Sequence, residues 1–198
     1  MKIGVLALQG DFIEHIEILR QIGTEAVAVR RLAELKGLAG LIIPGGESTS
    51  ILNLMHSYAL YRPLKRLAQK GLPIWGTCAG MICLANDVNG SNLKTLAVMD
   101  IGVRRNAFGR QVDSFETDLA VPVLGKKPYH AVFIRAPVIT GVGKAVEVLA
   151  KLPDGQPVAA RQGSLLVTAF HPELTGDDRF HRYFLKMIAE RSVAKLRQ

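Results

Sequence analysis

The chain begins with an unbroken apolar run, Ile3 to Leu8, that ends in Gln9-Gly10. A run without polar alternation predicts a strand buried on both faces, as in a parallel sheet. Asp11 followed by Glu14 has the form of a capping box opening a helix. Phe12, Ile16 and Leu19, with Ile13 and Ile22 less regularly placed, form that helix's apolar face, and Gly23 stops it. Ala26 to Val29 predicts a second strand and Leu41 to Ile43 a third, which ends in Pro44-Gly45-Gly46. Ser48 or Thr49 is suited to cap the helix that follows. A further helical stretch lies near Leu64 to Gln69. Pro73 to Gly76 predicts a fourth strand, running straight into Thr77-Cys78-Ala79-Gly80 and a short helix.

This alternation predicts an α/β fold in three layers, a mostly parallel sheet flanked by helices and joined by right-handed crossovers. From Asn86 to about Gly125 the rhythm breaks, and the Asn-, Gly- and β-branched-rich sequence predicts antiparallel strands added to the sheet edge. Val158 to Gln162 and Leu165 to Phe170 flank Gly163-Ser164 and predict a hairpin. A helix from about Asp178 to Lys195 closes the chain. Without an internal repeat, low-complexity tract or linker, residues 1–198 read as a single domain.

Of the 198 residues, 48% are hydrophobic and 21% charged, which suits a packed core and excludes a disordered or fibrous chain. No apolar run approaches the ~20 residues needed to span a bilayer. The apolar start lacks a small-residue cleavage site and reads as a strand rather than a signal peptide, so a cytoplasmic protein is expected. The two cysteines, Cys78 and Cys83, form no disulfide framework, and no Cys/His spacing resembles a metal site. The net charge of +8 raises the question of nucleic acid. The basic residues are scattered or gathered on the last helix, however, and no aromatic residues interleave them. They read as a solvated surface, suited to an acidic partner or a phosphorylated substrate.

The chemistry concentrates in three segments. Gly76-Thr77-Cys78-Ala79-Gly80, between a predicted strand and a predicted helix, has the form of a nucleophile elbow with cysteine in the nucleophile's place. The turn is so sharp that a side chain two residues before or after the nucleophile would strike neighbouring backbone, which explains the flanking glycines. Cys78 is left at a helix N-terminus, where the dipole and free N–H groups favour an anionic sulfur. The N–H of Ala79 is placed to meet an oxyanion. A cysteine nucleophile needs a base, and the base needs an orienting group. His171-Pro172-Glu173 supplies both, since residues i and i+2 of an extended chain point the same way. His15, His56, His130 and His181 lack such a companion and read as surface or structural residues. In the third segment, Pro44 to Thr49, the backbone of Gly45 and Gly46 is suited to complete the oxyanion hole. All three loops follow predicted parallel strands, the edge at which open α/β sheets bind ligands.

Together the elbow, the Gly-Gly-Glu-Ser-Thr loop and the late His-Pro-Glu resemble the class I (triad) glutamine amidotransferases, a flavodoxin-like family. Leu8-Gln9-Gly10-Asp11, Arg105-Asn106-Ala107-Phe108-Gly109-Arg110-Gln111, Phe133-Ile134-Arg135-Ala136-Pro137 and His171-Pro172-Glu173-Leu174-Thr175 narrow the likeness to the glutaminase subunits of pyridoxal 5′-phosphate synthase. The resemblance implies that Cys78 attacks the side-chain amide of L-glutamine, that His171 and Glu173 complete the triad, and that a glutamyl thioester forms. It implies that Gly46, Glu47, Ser48, Arg105, Ile134 and Arg135 hold the glutamine, with no metal or cofactor. It also implies a hetero-oligomeric partner, a synthase subunit that uses the ammonia to build pyridoxal 5′-phosphate from ribose 5-phosphate and glyceraldehyde 3-phosphate, and that switches the glutaminase on. Two other readings are a glutaminase serving another acceptor, as in histidine biosynthesis, and a basic nucleic-acid-binding module without enzymatic activity.

Overall fold

The computed structural model describes residues 1–105 and 114–196, and no helix among them is long and apolar enough to cross a membrane. The first half of the chain runs β1 (Lys2–Leu6), α1 (Phe12–Gln21), β2 (Glu25–Val29), β3 (Gly40–Ile43), α2 (Ser48–Ser57), α3 (Tyr61–Gln69), β4 (Ile74–Thr77) and α4 (Ala79–Leu84). The second half runs β5 (Ala85–Val88), β6 (Met99–Arg104), β7 (Ser114–Leu119), β8 (Tyr129–Ile134), β9 (Val138–Val142), β10 (Glu147–Lys151), β11 (Pro157–Gln162), β12 (Leu165–Thr168) and α5 (Arg179–Leu196).

Seven strands form one sheet in the order β10-β11-β12-β4-β3-β1-β2, parallel from β12 to β2 and antiparallel at the β10-β11-β12 edge. Every residue of β3 and β4 is buried, as the unbroken apolar runs require when helices cover both faces. On one face α1 and α5 meet over Trp75, whose ring centroid lies 5.6 Å from that of His15 and 5.8 Å from that of Phe184. Strand alternation turns Gly76 to the opposite face, where α4 packs.

The register places the site. Ile43 pairs with Gly76, and Thr168 pairs with Thr77, so β3, β4 and β12 end level with one another. The loops leaving β1, β3, β4 and β12 therefore emerge side by side, carrying Gln9, Gly45, Cys78 and His171. Between β4 and α4 the chain turns with Cys78 at φ 46°, ψ −105°, a conformation that strains a residue with a side chain. A Cβ at Gly76 would lie 2.5 Å from the Gly80 backbone, and one at Gly80 would overlap the Ile43 carbonyl oxygen. The expected steric reason for the two glycines is thus present.

Three local expectations are corrected. Asp11 precedes α1 but makes no side-chain capping bond; its carboxylate is instead drawn to His171, with Oδ2 3.5 Å from Nδ1. The cap of α2 is Glu47 rather than Ser48 or Thr49, because its longer side chain reaches back to accept from the N–H groups of Thr49 at 3.0 Å and Ser50 at 2.6 Å. The strands expected between Asn86 and Gly125 do not join the main sheet. β5-β6-β9 and β7-β8 form separate small sheets, with β5 and β6 parallel, and the main sheet's antiparallel edge comes from β10 and β11. The alternating burial of β6 and β8 shows why: each has one covered face, unlike the sandwiched parallel strands. The hairpin around Gly163-Ser164 is present as β11-β12.

The close contact at the elbow has a measurable cost. Gly80→Ala is expected to lower the unfolding free energy by about 1–3 kcal/mol, as overpacking does. Gly176, around which nothing lies within 4 Å of an added Cβ, should accept alanine within about 0.5 kcal/mol. Urea denaturation of both variants checks this, and equal midpoints would contradict the steric account.

Candidate active site

The four loops at the carboxyl edge of the parallel strands, with residues that follow β6 and β8, enclose a cavity of about 440 Å³. Its wall includes Gly46, Glu47, Ser48, Cys78, Ala79, Arg105, Ile134, Arg135 and His171, all singled out in the sequence, together with Gln9, Asp11, Ile82 and Pro137. A larger cleft of about 880 Å³, lined by Glu116, Asp118, His130 and Arg179 among others, contains neither cysteine. Cys83 is fully buried on α4, and burial pushes its thiol far above the usual range, so it is a core residue.

Cys78 is held by the backbone rather than by its side chain. Its N–H donates to the Thr168 carbonyl oxygen at 2.8 Å, tying the elbow to β12, and its thiol points to the Ile134 carbonyl oxygen at 3.9 Å. Arg135, which follows Ile134, also has a positive φ of 42°. Two non-glycine residues in the sparsely populated left-handed region thus flank one sulfur, as is common where a fold fixes a functional group. Ala79 begins α4 and brings its N–H to the cavity at the helix start.

His171 is almost wholly buried, and its N–H donates to the Val132 carbonyl oxygen at 2.8 Å, joining the end of β12 to β8. Its Nδ1 lies 2.7 Å from Glu173 Oε1. This is the expected pairing, reached by a different route. Pro172 to Leu174 form a 3₁₀ turn, so Glu173 curls back beneath the ring rather than projecting alongside it from an extended chain. Burial disfavours a charged His171, but Cys78 and Glu173 outweigh it and raise the imidazole from 6.5 to about 10. Glu173 is also buried; burial would raise its carboxyl, yet His15 and His171 hold it well below the usual carboxylate range. Asp11 is the reverse case, since burial raises it against the pull of His171. Asp11, His171 and Glu173 bring an imidazole nitrogen and two carboxylate oxygens within 4.8 Å of one another. The 2.7 Å bond from His171 to Glu173 puts a proton on Nδ1, which then has no lone pair for a cation, so the group reads as a hydrogen-bonded cluster.

The loop after β3 fits around these groups. A Cβ at Gly45 would lie 2.5 Å from His171 Cε1, so Gly45 is the floor beneath the ring and does not line the cavity. Gly46 has φ 144°, and a Cβ there would lie 2.5 Å from Gln9 Oε1. The N–H of Glu47 donates to that same Gln9 oxygen at 2.8 Å. Across the cavity Arg105 donates to Glu47 Oε1 at 2.9 Å and to Thr49 Oγ1 at 3.3 Å. Burial raises the Glu47 carboxyl, but the N–H groups of Thr49 and Ser50 bring it down to about 2. Arg135 is exposed and has no acidic partner among the described residues. Asn106 to Gln111, the rest of the motif that begins at Arg105, lie outside the described residues.

Two features escaped the sequence. Asp11 was read as a helix cap, although it follows a parallel strand that ends at the ligand edge, and that placement is the signal that could have identified it. His15 was read as structural, yet its Nε2 lies 3.2 Å from Glu173 Oε2. Its neighbours on the buried face of α1 gave no sign of a carboxylate so distant in sequence.

The arrangement offers a nucleophile, a base with a fixed tautomer, backbone donors and a charged mouth, all parts of an acyl-transfer site. Residues 5–190 match the model of the SNO glutamine amidotransferase family. A pyridoxal 5′-phosphate synthase subunit PdxT from Dehalococcoides mccartyi is 62% identical over 189 residues, covering 94% of this chain and 97% of the relative. The PdxT subunit from Moorella thermoacetica is 57% identical, covering 95% of this chain and all of the relative. A crystal structure described as a glutamine amidotransferase superposes with TM-score 0.90 at 50% identity, over 94% of this chain and 98% of that one. PurLQS from Thermotoga maritima shares the fold alone, with TM-score 0.65 at 15% identity over 93% of this chain and 97% of that one. The chain belongs to the SNO glutamine amidotransferase family.

Proposed function

We propose that this chain hydrolyses L-glutamine to L-glutamate and ammonia through a thioester on Cys78. We further propose that, as the glutaminase subunit of a cytoplasmic pyridoxal 5′-phosphate synthase, it passes the ammonia to a synthase subunit of the PdxS type. That partner would combine it with ribose 5-phosphate and glyceraldehyde 3-phosphate. The observation that carries the chemistry is a strained cysteine facing a cavity beside a buried histidine whose other nitrogen is held by a glutamate at 2.7 Å. The PdxT relatives, rather than the glutaminases of other pathways, carry the choice of acceptor.

In this mechanism Cys78 passes its thiol proton to His171 Nε2, its sulfur bonds to the carboxamide carbon, and the carbonyl π pair moves onto oxygen. The N–H groups of Ala79 and Gly46 receive that charge. As the tetrahedral intermediate collapses, His171 Nε2 gives its proton to the departing nitrogen, and ammonia leaves. Water then attacks the thioester and gives a proton to His171, the C–S bond breaks, and glutamate is released. Glu173 keeps the imidazole in one tautomer and offsets its positive charge. At the mouth Arg135 and Arg105 suit the α-carboxylate and Glu47 the α-ammonium. The zwitterion would then replace the resting Arg105–Glu47 bond with one contact to each.

Glutamate release is measured for the chain alone and with added synthase. Slow turnover alone, faster turnover with the partner and none for Cys78→Ala in either case are expected. Glutamine nitrogen should appear in pyridoxal 5′-phosphate only in the complete mixture. Turnover by Cys78→Ala would overturn the mechanism.

A pH dependence of stability follows from His171. Its folded value, about 10, lies above the ordinary 6.5. Its contribution is therefore fully present below pH 6.5 and is lost as pH rises towards 10. The gap in urea midpoint between wild type and His171→Asn should shrink steadily from pH 7 to pH 10. A constant gap would mean that the imidazole is neutral throughout.

A further inference from the structure

The chain of polar contacts does not end at Glu173. Behind it lie two histidines that the proposed steps leave unused, His15 on α1 and His181 on α5, neither with any exposed surface. His15 Nε2 lies 3.2 Å from Glu173 Oε2 and 3.4 Å from the Oγ1 of Thr77, the residue before the nucleophile. His15 Nδ1 lies 2.9 Å from His181 Nε2. We infer that His15 is a positioning residue for glutamine hydrolysis, its Nε2–H anchoring the second oxygen of Glu173 so that the first stays set to receive the N–H of His171. This rests on the triad reading given under Proposed function.

The hydrogen-bond directions support a relay with one polarity. Among the described residues Glu173 Oε2 has no aligned hydrogen bond and His15 Nε2, at 3.2 Å, is its contact, while His181 Nδ1 has no partner. If His181 Nε2–H donates to His15 Nδ1, then His15 must carry its proton on Nε2, facing Glu173 and Thr77. His181 Nδ1 is then a bare lone pair. The opposite direction would leave an N–H stranded at His181 Nδ1, the rarer and costlier defect. Burial keeps His181 neutral, so it carries a single N–H in either direction, and the choice rests on which direction leaves the smaller defect. On the far side of Glu173 the titratable neighbours are His171 and Asp11. Oε1 therefore answers to the catalytic base and Oε2 to His15. Without an anchor at Oε2, a buried carboxylate can rotate about its last torsion or take up a proton, and in either case His171 loses its orienting acceptor.

A histidine that merely fills the core would tolerate any well-packed replacement, whereas a positioning histidine requires a donor at one particular atom. Glutamine carries an amide N–H near the place of Nε2, asparagine one near the place of Nδ1, and leucine carries neither. The complete complex with synthase is assayed for kcat and KM of glutamine hydrolysis, alongside urea midpoints of each variant. His15→Gln should keep most of the wild-type kcat. His15→Asn and His15→Leu should lose about ten- to a hundredfold in kcat with KM little changed, as when a group that orients another is removed. If His15→Leu does not fold, the Gln and Asn variants decide the matter between them. Wild-type kcat in His15→Asn, or a His15→Gln as slow as His15→Asn at an unchanged midpoint, would overturn the inference. Cys78→Ala in the same assay separates the two claims. If it is inert while all His15 variants are fully active, only the positioning role fails; if it is active, the triad reading itself fails.

Discussion

With no side chain at Gly76 or Gly80, the first turn of α4 can lie directly against β3, and the rest of the site depends on that approach. A single methyl group at Gly80 would run into the Ile43 carbonyl oxygen. The turn can therefore be sharp enough to put Cys78 at φ 46° at the tip, with the helix start beneath it. The parallel register then does the remaining placement. Because β12, β4, β3 and β1 are consecutive neighbours, His171, Cys78, the glycine loop and Gln9 arrive at one edge without any long connection having to reach across.

Two ion pairs in the site follow opposite logic. Glu47 and Arg105 are half exposed, at 48% and 34% of their side-chain surfaces. Such a pair is worth only about 0–1 kcal/mol and is easily opened by a charged ligand. Glu173 has no exposed side-chain surface. A carboxylate there is tolerable only because imidazoles meet both oxygens, and removing one partner leaves a desolvated charge behind. The mouth can thus exchange partners, while the buried His171–Glu173 pair behind it is held fixed.

How far the sequence could be read follows the same division between local and distant causes. Ile3 to Leu8, Leu41 to Ile43 and Pro73 to Gly76 announce buried strands because sandwiching a parallel sheet demands continuous apolar residues, and each appears within two residues of its expected place. The elbow was legible because its steric requirement is contained in five consecutive positions. Side-chain reach was not. Glu47 rather than Ser48 caps α2 because its longer side chain reaches the first N–H groups, and Gln9 and Arg105, which also hold Glu47, approach from other loops. Glu173 reaches His171 from a 3₁₀ turn that Pro172 opens, not along an extended strand. His15 lies beside Ile16 on the buried face of its helix, and nothing local distinguishes a packed histidine from one aimed at a carboxylate. The strands expected between Asn86 and Gly125 were assigned to the main sheet's edge for the same reason, since alternation reveals a half-buried strand but not its partner.

The central claim is that Cys78 carries the acyl group. The most direct measurement is mass spectrometry of the acid-quenched complex of chain and synthase during turnover of L-glutamine, with peptides mapped after digestion. A glutamyl adduct on the peptide containing Cys78, removed by hydroxylamine as a thioester should be, is the predicted result. Ammonia release with no adduct on that peptide, or with the adduct on Cys83, would contradict the account.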